Sequence, residues 1–236
     1  MIFSQPVRKI PKNYRNITGK FASKKTSKLI AYESKLERDF LYLFEFENYI
    51  LDIVEQPMSI HYKIGNSTRK YTPDFFLKTP AGHNNLIIEV KYHDDLKKTF
   101  RESKLKYQAM LENLNGEEID FYFCTDRCPM IKSEDYKFNI HFLINYNELD
   151  LEHYSFIQKH FSPFITIQEI LNLYSQDKYV QLILLSSIWC MFRRKILITN
   201  LYEKLSIETK IFELRHYDHK LYLEHLAGKI NKGYLL

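Results

Sequence analysis

Residues 69–92, RKYTPDFFLKTPAGHNNLIIEVKY, constrain the fold of this chain more than any other stretch. Two apolar runs, Phe75-Phe76-Leu77 and Leu86-Ile87-Ile88, flank Pro80-Ala81-Gly82, which is turn chemistry. The pattern predicts two short strands, the first carrying Pro73-Asp74 and the second Glu89-Val90-Lys91. Side chains alternate along a strand, so Leu86, Ile88 and Val90 share one face while Ile87, Glu89 and Lys91 share the other. If the strands pair as a hairpin, Asp74 is carried next to Glu89, with Lys91 beside them.

Two carboxylates and an ammonium on one patch have a chemistry. Carboxylate oxygens are the ligands a hard cation such as magnesium takes, and a magnesium site of this kind serves phosphodiester hydrolysis. A neighbouring lysine can position water or stabilise a charged phosphate. The alternative is a solvated strand face holding a weak surface ion pair. The apolar neighbours of each charged group weigh toward a functional site, because an unpaired charge among them is costly.

Charge is unevenly distributed. Residues 1–32 hold eight basic side chains (Arg8, Lys9, Lys12, Arg15, Lys20, Lys24, Lys25, Lys28) and no acidic one, leaving the rest of the chain slightly acidic against an overall +5. Interleaved with Tyr14 and Phe21, this arm fits a phosphate-backbone partner, Arg8, Lys9, Lys12 and Arg15 being its candidate contacts; a solubilising tail is the alternative. With 236 residues and 45% hydrophobic content, the chain can bury a substantial core. The richest apolar run, Val180 to Phe192, is short and broken by Gln181, Ser186 and Ser187, so no membrane span is expected, nor is there a signal-peptide core. Three cysteines, Cys124, Cys128 and Cys190, fit a reducing cytoplasm; Cys124, Cys128 and His141 lack a fourth ligand for zinc.

Ser34-Lys35-Leu36-Glu37 matches a capping box, and Leu36, Phe40, Leu43 and Phe44 follow at helical spacing. On pattern alone Glu37 reads as a cap, the alternative being that it reaches into the same pocket as Asp74 and Glu89. Ile50 to Ile64 is β-branched and interrupted by Pro57, which predicts two short strands or an edge strand, closed by the turn Gly65-Asn66-Ser67. A helix is expected from Asp94 to Asn113 with Leu96, Phe100, Tyr107, Leu111 and Leu114 as its core stripe. Its other faces carry Lys97, Lys98, Arg101, Lys104 and Lys106, which could hold a phosphate backbone or form a solvated face. Ile119 to Cys124 reads as a buried strand and Asn139 to Tyr146 as another, giving a mixed sheet covered by helices.

Taken together, Glu37 in ESKLERDFLYLFEFE, Glu55-Gln56-Pro57 after LDIV, YTPDF at 71–75 and IIEVKY at 87–92 resemble the TnsA family. That family is the endonuclease subunit of heteromeric transposases, within the PD-(D/E)xK restriction-endonuclease-like superfamily. The resemblance spans about residues 8–125. It implies that Glu37, Asp74 and Glu89 bind Mg2+, for which Mn2+ can substitute, and that Lys91 is the catalytic lysine. It thereby promotes Glu37 from cap to ligand. The founding family member has glutamine where this chain has Glu89; glutamate gives a full anionic ligand. The resemblance further implies cutting of the non-transferred strand of double-stranded DNA at transposon ends, beside a TnsB-like transposase and a TnsC-like ATPase regulator. Alternatives are a partner-independent restriction or repair nuclease and a non-catalytic DNA-binding adaptor.

Beyond residue 146 helices are expected at Glu148 to His160, Ile167 to Tyr174 and Lys178 to Arg194, the last a core helix around Ile183, Leu184, Leu185, Ile188 and Trp189. A strand at Ile196 to Ile198, a helix at Asn200 to Leu205 and a wing strand at Thr209 to Leu214 would complete a winged helix, in which Arg193, Arg194 and Lys195 offer a DNA contact or the surface a protein dock. The expected organisation is a basic arm (1–32), an α/β restriction-endonuclease-like domain (33–146) and a mainly α, winged-helix-like domain (147–236).

Overall fold

The computed structural model describes residues 3, 5–7, 17–26 and 28–212. The described chain falls into two compact units, one ending at Lys132 and the other beginning at Ser133.

The first unit opens with part of the basic stretch. β1 (Gly19–Ala22) and β2 (Leu29–Tyr32) pair antiparallel, burying Phe21 and Ile30. Lys25, between them, donates to the backbone carbonyls of Glu47 and Ile50 at 2.6 and 2.5 Å, so this cation serves carbonyls at the exit of the next helix. That helix, α1 (Lys35–Phe46), starts where Ser34 Oγ accepts from the Glu37 amide at 3.1 Å. Leu36, Phe40, Leu43 and Phe44 are each at most 3% exposed. Full burial of such side chains is worth roughly 1.5–3 kcal/mol apiece, and Phe44→Ala would cost about 3–5 kcal/mol.

Four strands form the central sheet in the order β3 (Asp52–Glu55), β6 (Phe75–Lys78), β7 (Asn85–Val90), β8 (Ile119–Cys124). Pro57 separates β3 from β4 (Ile60–Ile64), which pairs with β5 (Ser67–Tyr71) in a sheet of their own. The stretch 69–78 is therefore two strands, broken at Thr72-Pro73-Asp74, and Asp74 lies just before β6. Proline cannot donate to a ladder, which is why the break falls there. β6 and β7 are antiparallel, joined through Gly82 at φ +85, and β7 and β8 are parallel. The crossover between β7 and β8 is helical, and the sheet is mixed as the sequence implies.

The crossover is two helices, α2 (His93–Lys98) and α3 (Phe100–Asn113). Thr99 interrupts at φ −104 and ψ 19, and the break resets the helical phase. Phe100 and Leu111, expected inside, are 42% and 45% exposed, while Ser103 and Met110 are buried. Val54, Phe76, Ile87, Leu96, Met110, Leu114, Phe121 and Phe123 make the core beneath this layer. A short helix, α4 (Pro129–Lys132), ends the unit.

The second unit is helical: α5 (Glu134–Leu143), α6 (Leu151–His160), α7 (Ile167–Tyr174) and α8 (Lys178–Arg193). The strand expected over Asn139 to Tyr146 is instead mostly α5. Ser133 Oγ accepts from the Tyr136 amide, Glu134 and Asp135 face the positive helix end, and Tyr136, Ile140 and Leu143 fall on one buried stripe. In α8, Leu184, Ile188 and Trp189 are buried as expected, but Ile183 is 47% exposed. Asn200 to Leu205 is turn rather than helix. Buried Asn139 takes its backbone, donating to the Leu201 and Glu203 carbonyls and accepting from the Leu205 amide. Among the described residues isolated bridges join Ile198 to Phe212 and Thr166 to Lys210, and the end of the expected wing strand, Glu213 and Leu214, lies outside them. Cys124, Cys128 and Cys190 form no disulfide among the described residues, and no helix of the described residues is long and apolar enough to cross a membrane.

Candidate active site

Register brings the first two candidate carboxylates together. Phe75 pairs with Ile88 and Phe76 with Ile87, so one step further Asp74 stands opposite Glu89. The Asp74 amide donates to the Ile88 carbonyl at 3.1 Å, and Asp74 Oδ2 accepts from the Val90 amide at 2.7 Å. Behind it the Gln56 amide donates to the Asp74 carbonyl at 2.7 Å. Gln56 holds φ +45, a left-handed conformation uncommon outside glycine, at the turn that links β3 to the site.

Glu89 is held from a direction that sequence pattern missed. Tyr71, the last residue of β5, donates from its hydroxyl to Glu89 Oε2 at 2.8 Å. The Lys106 ammonium lies 5.2 Å from the centre of the same ring and 5.8 Å from that of Tyr62. Glu102 accepts from Lys106 at 3.0 Å and from the Tyr62 hydroxyl at 2.7 Å. The signals available were two tyrosines alternating with charges along β4 and β5 and an i, i+4 acid–base pair on α3. Lys91 donates from Nζ to Thr99 Oγ1 at 2.8 Å, at the break between α2 and α3.

Glu37 fulfils the cap reading. Its Oε2 accepts from the Glu33 amide at 2.7 Å while its own amide donates to Ser34. Its charge also reaches the pair: it raises the proton affinity of both Asp74 and Glu89.

The electrostatics are those of crowded anions. Burial pushes the Glu89 carboxyl up to about 7, opposed by the Tyr71 hydrogen bond and the Lys106 and Lys91 charges. Burial also lifts Asp74 well above the usual carboxylate range, reinforced by the charges of Glu89 and Glu37. Glu37 is raised by burial against its two hydrogen bonds.

The donor set suits a hard divalent cation. Asp74 and Glu89 each commit one oxygen to a protein donor, and the other accepts no hydrogen bond from the described residues, while Glu37 is held by the Glu33 amide and the Ser34 hydroxyl. A divalent charge among them relieves the repulsion that raises their proton affinity. No three His, Cys, Asp or Glu side chains of the described residues form a closed metal-binding group. A carboxylate pair completed by water and phosphate oxygens is nevertheless the usual way magnesium is held.

Lys97, Lys98 and Arg101 are exposed on α2 and α3, Lys98 pairing with Asp95 at 3.1 Å. Arg8, Lys9, Lys12 and Arg15 lie outside the described residues. In the second unit Arg193 is buried, and Arg194 donates to the Asn147 carbonyl at 2.6 Å.

No curated protein matches the chain in sequence. Residues 47–126 match the family model described as TnsA-like endonuclease N terminal. The matched span runs from the end of α1 past β8, and so contains Asp74, Glu89 and Lys91 but begins after Glu37. Over that span the chain is similar to the N-terminal domain of TnsA-like endonucleases.

Proposed function

We propose that this chain is a Mg2+-dependent DNA endonuclease, the subunit of a heteromeric transposase that cuts the non-transferred strand at transposon ends. The observation that carries the reading is the Asp74 and Glu89 pair, with Lys91 two residues on, inside the matched endonuclease domain. Asp74 and Glu89 would hold the ion, with Glu37 as third ligand. When bound, Mg2+ or Mn2+ supplies Lewis acidity toward a phosphoryl oxygen and makes water a better nucleophile near neutral pH.

The chain's own residues prepare the site. The Val90 amide and the Tyr71 hydroxyl each occupy one carboxylate oxygen, which fixes the orientation of the other. Lys91 brings a positive charge that steadies the attacking water and the scissile phosphate. Thr99 anchors that ammonium at the end of α2, so its direction is set before substrate arrives.

The partners follow from the family reading: a TnsB-like transposase that cuts and joins the other strand, and a TnsC-like ATPase regulator that meets the second unit. We read that unit as winged-helix-like from the order α6, α7, α8 and the bridge between Ile198 and Phe212. The test is strand-resolved mapping of cuts on a donor plasmid in a reaction containing the chain and its neighbouring-gene transposase. Cleavage of the non-transferred strand that disappears with Asp74→Ala or Lys91→Ala supports the reading. Cleavage near the wild-type level in either variant contradicts it, and strong cleavage of plain DNA without a partner points to a restriction or repair nuclease.

A further inference from the structure

β4 and β5 form a two-stranded ribbon outside the central sheet. Gly65-Asn66 closes it, with Gly65 at φ +57, the glycine-first pattern of a tight hairpin. Residues paired directly across two strands share a face. The register pairs His61 with Lys70 and Lys63 with Thr68, so these four make one face, and all four are exposed. The opposite face carries Ile60, Tyr62 and Tyr71, each at most 6% exposed, with α3 packed against β4.

The outer face therefore has three basic side chains and no carboxylate. Lys63 and Lys70 make no ion pair or side-chain hydrogen bond with the described residues. Basic groups set opposite one another, as His61 and Lys70 are, work against strand pairing whenever both are charged. Nothing in the local packing calls for them. A polyanion laid across the face removes that cost.

We propose that this outer face docks on the phosphate backbone of duplex DNA, an inference that rests on the nuclease reading above. A two-stranded ribbon fits the major groove of B-form DNA, whereas the deep, narrow major groove of A-form RNA excludes side chains. Single-strand platforms present several large aromatic rings to the bases, and this face has no Phe, Tyr or Trp, only the His61 imidazole. Alternation along β5 ties the surface to the site: Lys70 points outward while its neighbour Tyr71 turns inward to Glu89. The ribbon thus holds the duplex backbone on one side and a candidate metal ligand on the other.

The test is equilibrium binding of the full chain to a duplex of about 30 base pairs, without divalent metal, over about 50–300 mM salt. The double substitution Lys63→Ala with Lys70→Ala is expected to reduce the slope of log K against log salt by about 2, with affinity falling roughly tenfold or more. The charge-matched pair Lys78→Ala with Lys132→Ala, exposed elsewhere on the same unit, is expected to keep the wild-type slope. An unchanged slope in the ribbon variant overturns the proposal and leaves the nuclease reading intact. So does an equal loss in the control pair, or tighter binding to single strands than to duplex. A wild-type chain that binds no DNA overturns both.

Discussion

The Tyr71 hydroxyl donates to Glu89 Oε2 at 2.8 Å, across eighteen residues of sequence and between two separate sheets. One of the candidate ligands is thus oriented by a strand that is no part of the central sheet. Tyr71→Phe removes the donor and leaves the ring in its buried place. Partners of this kind commonly set metal affinity by 10–100-fold, so Mn2+ binding, followed by titration calorimetry, is expected to weaken by about tenfold. The thermal midpoint is expected to move by little, since one hydrogen bond is worth on the order of 1 kcal/mol.

Lys106 acts on the same carboxylate through charge. It lowers the proton affinity of Glu89, so Lys106→Met is expected to raise it. The pH midpoint of Mn2+ binding should then shift upward, with affinity near neutral pH reduced and recovered in more alkaline buffer. A midpoint that stays put would show that α3 is not electrically coupled to the site.

The crowding of anions has a consequence for stability. Glu89 has a folded-state pKa raised to about 7 from its ordinary 4.5, so the folded state holds its proton more tightly than the unfolded chain. Its contribution is fully present below about pH 4.5 and is lost as pH rises through about 7. Glu89→Gln, which can still accept from Tyr71, is therefore expected to stabilise the metal-free protein in alkaline buffer by on the order of 1–3 kcal/mol. Added Mn2+ should raise the melting temperature of the wild type and not of the variant, because only a ligand bound by the folded state stabilises it. Calorimetry with and without the ion checks both halves.

Glu37 has two roles that one substitution separates. Glu37→Gln keeps an oxygen for the Glu33 amide and so preserves the cap, but removes the charge that reaches Asp74 and Glu89. Stability is expected to hold within about 0.5 kcal/mol, while cleavage falls by on the order of 100-fold or more. Ser34→Ala should do the reverse, costing about 1 kcal/mol of stability and little activity. Normal cleavage by Glu37→Gln would reduce Glu37 to a helix cap.

The sequence made the Asp74 and Glu89 juxtaposition legible because a proline–glycine turn between two apolar runs leaves little choice but a hairpin, and hairpin register follows from the turn. It also showed both readings of Glu37, since a capping box is a local pattern. What it hid was non-local. Tyr71 and Tyr62 look like ordinary strand formers until α3 is packed over them, and Lys106 looks like one more base on a solvated helix. Thr99 concealed a helix break inside a periodic stretch, which misassigned Phe100 and Leu111 to the core. Asn139 to Tyr146 has the β-branched and aromatic composition of a strand, but the capping serine and two acidic residues ahead of it settle the segment as helix.

Anomalous scattering from a crystal of this protein soaked in Mn2+, at about pH 8 so that Glu89 is largely ionised, tests the central claim most directly. A manganese peak bonded to Asp74 and Glu89 is expected, with Glu37 joined directly or through water. Manganese absent from these carboxylates, in crystals whose protein still cuts DNA, would contradict it.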